Sequence, residues 1–236
     1  MPVELSFEER RVIGALVEKA LTTPNQYPLT QNALVNACNQ KSCRNPVTSF
    51  DEELVLDTLD ALRSKGLCAV TQTVGGHTDR WKHLFREVIP LSGPELAVMM
   101  ELLLRGPQTD GELRQNAKRM VAIESKEALR EVLDNLMNRD DPLIVRLSAD
   151  HRKRGVRYAH TLYSATELDR LREEEQAADA VTTAAVSSPS PSPAAAPAPA
   201  PNAGQVESLQ ERIEELEQTV GDLSDRVTRL ERDLGG

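Results

Sequence analysis

The stretch Leu5-Ser6-Phe7-Glu8-Glu9-Arg10-Arg11-Val12-Ile13-Gly14-Ala15-Leu16 decides the fold, because its pattern is repeated later in the chain. The same spacing of Leu, Ser, Glu, Val and Leu recurs over residues 91–102. Towards the end of each copy, Arg80-Trp81-x-His83 recurs as Arg157-Tyr158-x-His160. A repeated unit that begins as a helix and ends as a hairpin predicts two small domains of the same fold.

Each copy has the pattern of three helices followed by a β-hairpin. In the first copy, Ser6 and Glu9 have the spacing of a capping box, and Gly75-Gly76 is a two-residue hairpin signal. The patterns predict helices over 6–21, 30–39 and from 49 or 51 to 65, and strands over 67–74 and 78–85. In the second copy they predict helices over 94–105, 111–120 and 126–139, and strands over 143–147 and 156–163. This order of elements is the layout of a winged helix-turn-helix.

The last part of the chain has a different composition. Residues 1–172 hold 24 Lys and Arg against 24 Asp and Glu, so the net charge of −9 lies in the tail. An Ala-, Pro- and Ser-rich stretch predicts a disordered linker, because it has too few bulky apolar side chains to fold. We therefore expect a mainly α fold with small β-hairpins (α+β), built from tandem winged helix-turn-helix domains. The predicted boundaries are 3–86 and 90–165 for the two domains, 166–180 for an exit helix, 181–204 for the linker and 205–234 for a coiled coil.

The prediction of a coiled coil rests on a heptad pattern. This pattern has β-branched residues at most a positions and Leu at the d positions, which favours a parallel two-stranded coil. We expect it to dimerise the chain. The alternative is a single amphipathic helix that docks on its own domains, although so narrow an apolar seam suits a partner helix better. The residues predicted to form the dimer contact are Val206, Leu209, Ile213, Leu216, Val220, Leu223, Val227 and Leu230.

Several motifs resemble those of a known bacterial group, the YceH family. They are Thr22-Thr23-Pro24-Asn25-Gln26-Tyr27-Pro28-Leu29, residues 36–42, residues 104–109, residues 111–114 and the late heptad helix. The family usually carries a polar, non-thiol residue at the position of Cys43, so the resemblance implies no chemistry for this thiol. It also implies tandem winged-helix domains and, since the family has no settled activity, adds little about function.

A winged helix usually reads DNA with its third helix, while the wing contacts phosphates. Both predicted third helices are acidic here, and carboxylates repel a phosphate lattice. Basic residues cluster instead in the wings and after the second helix. The candidate nucleic-acid contacts are Arg152, Lys153, Arg154, Arg157, Arg80, Lys82, Lys41 and Arg44. The plain alternative for each is a solvated surface charge.

Other polar and aromatic residues have competing interpretations. Asn32, Asn36 and Asn39 could read adenine edges, but we favour hydrogen bonds to the following loop, which needs backbone partners. Trp81 and Tyr158 occupy equivalent positions and are expected to close each wing onto its helices rather than stack on bases.

No catalytic or metal-binding motif is present in the sequence, so we expect neither an enzyme nor a cofactor. Cys38, Cys43 and Cys68 lack metal-ligand spacing and are expected to be buried or idle. The start of the chain lacks the pattern of a signal peptide, and no apolar stretch is long enough to span a membrane, so we expect a cytoplasmic protein.

Two functions fit these observations. The first is a dimeric DNA-binding protein, such as a transcriptional regulator, whose wings contact phosphates of double-stranded DNA. The second is a protein-interaction scaffold whose acidic third helices dock basic partner surfaces. Winged-helix domains serve both uses, so the fold alone does not choose between them.

Overall fold

The computed structural model describes residues 3–72, 78–149, 152 and 155–186, with side chains described up to residue 178. In these residues the chain forms a mixed α/β fold with eight α-helices and two small antiparallel sheets. The helices are α1 Phe7–Thr22, α2 Gln31–Cys38, α3 Glu52–Ser64, α4 Phe85–Val88, α5 Gly93–Arg105, α6 Asp110–Ala117, α7 Lys126–Met137 and α8 Ala165–Val186. The strands are β1 Cys68–Gln72, β2 Asp79–His83, β3 Gln108–Thr109, β4 Ile144–Arg146 and β5 Arg157–His160.

Side-chain caps begin the helices where the sequence predicts them. The Ser6 hydroxyl accepts a hydrogen bond from the Glu9 amide at 3.2 Å, and the Glu9 carboxylate accepts one from the Ser6 amide at 2.7 Å. Ser92 and Glu95 form the same reciprocal pair at the start of α5. These bonds satisfy amides that would otherwise lack partners in the first turn. The repeated capping box is therefore confirmed in both copies.

The two hairpins have the same strand order around their aromatic residues. In the first, β1 pairs with β2, and Trp81 of β2 also bridges to Leu29. In the second, β5 lies between β4 and β3, and Tyr158 of β5 pairs with Gln108 of β3. The short strand β3 and the isolated bridge at Leu29 were not predicted, because one or two residues carry no alternating pattern.

Several predicted element ends were wrong, including those of the strand expected over 156–163, which ends at His160, and of the helix expected over 126–139, which ends at Met137. The strand expected over 78–85 ends at His83, because Phe85–Val88 turn into the short helix α4. The helix expected over 111–120 ends at Ala117. The helix expected over 166–180 continues to Val186, six residues into the predicted linker. The remainder of the predicted linker and the coiled coil lie outside the described residues.

Helices α1 and α5 pack at the centre and join the two sequence copies through one apolar core. Gly14 permits this close approach, because a Cβ atom at that position would lie 3.0 Å from Cδ2 of Leu104. Trp81 is 4 % exposed and belongs to this core, which confirms its expected role under the wing. Tyr158 is partly buried against the same core.

Candidate functional site

The second hairpin presents arginines around one buried carboxylate from α8. Nη1 of Arg152 lies 3.1 Å from Oε1 of Glu175, and Nη1 of Arg157 lies 3.1 Å from Oε2 of the same residue. Ser148 completes the arrangement, since its hydroxyl donates to Oε1 of Glu175 at 2.8 Å and accepts from the Arg157 amide at 2.9 Å. Helix α8 is therefore fastened to the wing by Glu175, rather than leaving the domain as the term exit helix implies.

The arginines of this wing remain accessible although they are paired. The Arg152 and Arg157 side chains are 32 % and 42 % exposed, whereas Glu175 is 3 % exposed. Residues 146–157 carry five Lys and Arg and one Asp, so Glu175 offsets only part of their positive charge. The sequence of the wing is consequently basic. We call Arg146, Arg152, Arg157 and Glu175 the wing cluster.

Arg146 holds the backbone of the wing loop in place. Its Nη2 donates to the carbonyl oxygens of Ala149 at 2.9 Å and of Arg152 at 2.6 Å. The wing candidates Lys153 and Arg154 lie outside the described residues. Two of the four candidates in this wing, Arg152 and Arg157, are thus placed side by side.

The candidates of the first copy are scattered. Arg80 donates to the carbonyl oxygen of Pro28 at 2.9 Å and so ties its strand to the segment before α2. Lys82 and Lys41 are exposed. Within the described part of the chain, these three side chains share no hydrogen bond with one another, so they do not form a single site there.

Arg44 was predicted to hold a phosphate, and the structure corrects this prediction. Its side chain is fully buried and forms an ion pair with Glu18 of α1. Its guanidinium also donates to the Ala37 carbonyl oxygen at 2.8 Å and to Gln40 at 3.2 Å. A guanidinium whose donors are used inside the protein is not available to DNA.

Arg44 belongs to a buried ionic network that the sequence did not reveal. Glu18 also pairs with Arg119, which in turn donates to Glu101 of α5 at 2.6 Å. Nε of Arg105 lies 3.1 Å from the other oxygen of Glu101. The five residues Glu18, Arg44, Glu101, Arg105 and Arg119, here called the ionic network, link α1 to α5. Arg119, whose side chain is 26 % exposed, joins the network from the segment that follows α6.

Burial dominates the electrostatics of this network. Desolvation raises the pKa of Glu101 to about 7, although Arg105 and Arg44 act in the opposite direction. Desolvation likewise lowers the pKa values of Arg44 and Arg119. The neighbouring Arg11 is 1 % exposed, and burial together with the charge of Arg44 lowers its pKa to about 10.

The outer faces of α3 and α7 are acidic, as the sequence predicts, but only α3 also exposes large apolar side chains. Leu54 and Leu56 are 38 % and 39 % exposed. On α7 the leucines that define the helix, Leu129, Leu133 and Leu136, are all buried. The exposed acidic residues are Glu52, Glu53, Asp57 and Asp60 on α3 and Glu127, Glu131 and Asp134 on α7.

The asparagines of α2 divide between two environments. Asn39 donates to the Phe50 carbonyl oxygen at 2.7 Å and accepts from the Phe50 amide at 2.8 Å, which is the loop-holding role favoured from the sequence. Asn32 and Asn36 are exposed and hydrogen-bond to each other at 2.8 Å. Of the three asparagines, only Asn39 therefore hydrogen-bonds to the following loop.

The repeated histidines are packing residues. His160 is fully buried and stacks on Tyr163 with the ring centroids 3.8 Å apart. Burial lowers the pKa of His160 well below its ordinary value, and the nearby Arg10 lowers it further. His83 is half-buried, with its ring centroid 5.9 Å from that of Tyr27, and burial lowers its pKa as well. Neutral, enclosed imidazoles suit a core better than a phosphate surface.

The thiols are also enclosed. Cys38 and Cys68 are buried, and burial raises the pKa of each thiol to about 12. Cys43 is only partly buried. Among the described residues, no group of three or more His, Cys, Asp and Glu side chains is placed to hold a metal ion. None of the helices in the described ranges has the length and apolarity needed to cross a membrane.

These features define a small α/β protein with one basic wing, one acidic helix face and a buried ionic network. Residues 5–155 match the model of the family described as "Protein of unknown function, DUF480", and the chain belongs to that family. It is 50 % identical over 162 residues to a "UPF0502 protein" of Pelobacter propionicus, covering 69 % of this chain and 74 % of that protein. A "UPF0502 protein" of Shewanella sp. (strain MR-4) is 38 % identical over 232 residues, or 97 % of this chain and 98 % of its own length. The resemblance to an uncharacterised bacterial family is thereby confirmed.

Proposed function

We propose that this protein is a non-enzymatic, dimeric DNA-binding protein, such as a transcriptional regulator, that contacts phosphates through the wing of its second winged-helix domain. The observation that carries the proposal is the wing cluster, in which Arg152 and Arg157 share one buried carboxylate and remain partly exposed. Arginine forms strong, charge-assisted hydrogen bonds to phosphate oxygens.

The winged-helix interpretation rests on the order of elements in each sequence copy. The order α1, α2, α3, β1, β2 in the first copy is followed by α5, α6, α7, β4, β5 in the second. In such domains the wing is the usual phosphate contact beside the third helix. The acidic outer faces of α3 and α7 favour contact by the wing alone, because carboxylates facing the groove would repel phosphates.

Wing contacts to phosphates carry little sequence information, so we expect binding with low sequence specificity from a single domain. Dimerisation through the heptads of residues 205–234 would place two such wings on one duplex and raise their effective concentration. Leu216→Pro should break this coil and yield a monomer, as measured by light scattering. An unchanged mass would remove the dimer from the proposal and leave the wing to be tested alone.

The proposal is tested with the full-length protein and a random-sequence DNA duplex across a salt series. We expect affinity to fall steeply with salt. A plot of the logarithm of the association constant against the logarithm of the salt concentration should have a slope of about −0.9 for each phosphate neutralised. The variant Arg152→Ala, Lys153→Ala, Arg154→Ala should bind more weakly and with a shallower slope. Arg157 is retained in this variant so that Glu175 keeps a partner.

The matched control is Arg63→Ala, Arg86→Ala, Lys118→Ala, which removes the same charge from exposed positions away from the second wing. If both variants lose the same affinity, binding reflects net charge and the wing proposal fails. Absence of binding by the wild-type protein at low salt would reject the DNA-binding function itself.

A further inference from the structure

The face of α3 is unusual among the described surfaces, because it combines exposed leucines with carboxylates. Helical spacing places Glu53, Asp57 and Asp60 along the centre of the exposed face, with Leu56 on one side and Leu54 on the other. The opposite face, with Val55, Leu59 and Leu62, is buried. A third helix built for DNA would present cations here, so the face has a chemistry that the proposed wing contact does not use.

The side that carries Leu56 borders a groove of about 450 Å³. Helix α3 contributes Glu52 and Leu56, the start of α2 contributes Thr30, Gln31 and Asn32, and the hairpin contributes Thr78, Asp79 and Trp81. Leu56 and Trp81 are the apolar parts of this lining, and Glu52 and Asp79 are its charged parts. The two carboxylates come from different elements of the fold and line one cavity.

The lining is also well supported. Gln31 Nε2 donates to the Glu52 carbonyl oxygen at 2.8 Å, which ties the starts of α2 and α3 together. Trp81 is bonded through its backbone amide and carbonyl to Leu29, at 2.7 Å and 3.1 Å, and its side chain is 4 % exposed. Gln72 Nε2 donates to Asp79 at 2.8 Å, which orients that carboxylate on the hairpin. A groove with fixed walls loses little freedom when it is filled.

We propose that this groove and the adjoining face of α3 bind a short segment of a partner protein that carries lysine or arginine beside an aliphatic side chain. The aliphatic group packs on Leu56 and on the small part of Trp81 that lines the groove. The cations pair with Glu52 and Asp79 in the groove and with Asp57 and Asp60 on the helix. Charge complementarity selects this occupant, because an acidic segment or a nucleic acid would meet carboxylates on both sides of the groove. The surface lies on a different copy of the repeat from the wing cluster, so this proposal stands without DNA binding.

Trp81 provides the measurement, because it is the single tryptophan of the chain. The probe is a short peptide of Lys, Leu and Ala without aromatic residues, titrated into the full-length protein while the tryptophan emission is recorded. We expect a saturable change in emission. The Kd obtained from this change should rise as salt is added. A peptide in which every Lys is replaced by Glu should cause no change.

Two variants locate the site. Leu56→Ser and Glu52→Gln should each raise the Kd for the lysine peptide by about tenfold, the size of effect seen when an interface anchor is truncated. Both positions are exposed, and the circular dichroism spectrum should be unchanged. Glu131→Gln on α7 is the matched control, since it removes the same charge from the acidic face that lacks exposed leucines, and it should leave the Kd unchanged.

The outcomes are decisive in either direction. No saturable change with the lysine peptide at low salt overturns the proposal. Equal loss of affinity in Glu52→Gln and Glu131→Gln also overturns it, because binding would then follow net charge alone. A change in Trp81 emission caused by duplex DNA in place of the peptide would assign the groove to nucleic acid instead.

Discussion

Two pairs of arginines, one from each copy of the repeat, lie in opposite environments. In the first copy, Arg11 and Arg44 are buried and bonded to carbonyl oxygens and carboxylates inside the fold. In the second copy, Arg152 and Arg157 surround Glu175 and remain partly exposed. Arginine therefore stabilises the interior at Arg11 and Arg44 and contributes to a basic surface at Arg152 and Arg157.

The difference arises from what lies opposite each side chain. Arg44 faces Glu18 across the packed core, where the cost of removing both charges from water is high and must be offset by good geometry and further hydrogen bonds. Arg157 faces Glu175 at an edge where water still reaches the guanidinium. Removing a carboxylate should thus damage stability in the first copy and change ligand binding in the second.

The largest effect is expected from Glu18→Gln. This change leaves the buried Arg44 without its carboxylate and the partly buried Arg119 with Glu101 alone, and breaking a buried ion pair by removing one partner costs about 3–5 kcal/mol. The free energy of unfolding, measured by chemical denaturation, should fall by this amount. Glu8→Gln is the control at a partly exposed carboxylate of the same helix that is not in the ionic network, and a comparable loss there would show that Glu18 has no special role.

A second effect on stability should depend on pH through Glu101. Its pKa is raised to about 7 in the folded protein, so between the unfolded value of 4.5 and about 7 the folded state binds more protons than the unfolded state. Stability from this group is complete at low pH and is lost as pH rises through that window. The Glu101→Gln variant has no titratable group at this position. The free energy of unfolding of the wild type should therefore fall relative to that of the variant as pH rises.

The measurement is a series of denaturation curves for both proteins from below pH 5 to above pH 7. Buried His160 contributes the opposite dependence, since its lowered pKa means that stability is lost as pH falls below its ordinary value. This contribution is common to both proteins and cancels in the difference. A difference that does not change with pH would mean that Glu101 keeps the same charge throughout.

The contrast between the copies also explains what the sequence could predict. The helix starts were predictable because Ser6 with Glu9 and Ser92 with Glu95 act within one turn. The burial of Arg44 was not predictable, because Glu18 lies 26 residues away in sequence and is brought near only by packing. The position of Arg119 depends in the same way on the contact of α1 with α5. Local motifs specify elements, whereas the ionic network depends on how those elements pack.

A smaller effect should be equal in the two copies. Ser6→Ala and Ser92→Ala each remove the hydroxyl that accepts a hydrogen bond from the third helical amide. Each should lower the free energy of unfolding by about 1 kcal/mol, the usual cost of losing an N-cap. The double variant should show the sum, because the two caps have no common partner. Strongly unequal losses would show that one of the caps carries an additional structural role.

The smallest effect should be a gain in DNA affinity on Glu175→Gln. Glutamine keeps the size of the side chain but removes the charge that now holds Arg152 and Arg157, so the wing becomes more positive. Partly exposed ion pairs contribute about 0.2–1 kcal/mol, which corresponds to a gain of roughly 1.5- to 5-fold in affinity for a random-sequence duplex at low salt. Glu174→Gln makes the same change at the adjacent, exposed position, where the carboxylate pairs with Arg170, and should give a smaller gain. If Glu175→Gln weakens binding instead, the carboxylate is needed to orient the arginines, and the wing cluster must act as a preformed unit rather than as a sum of charges.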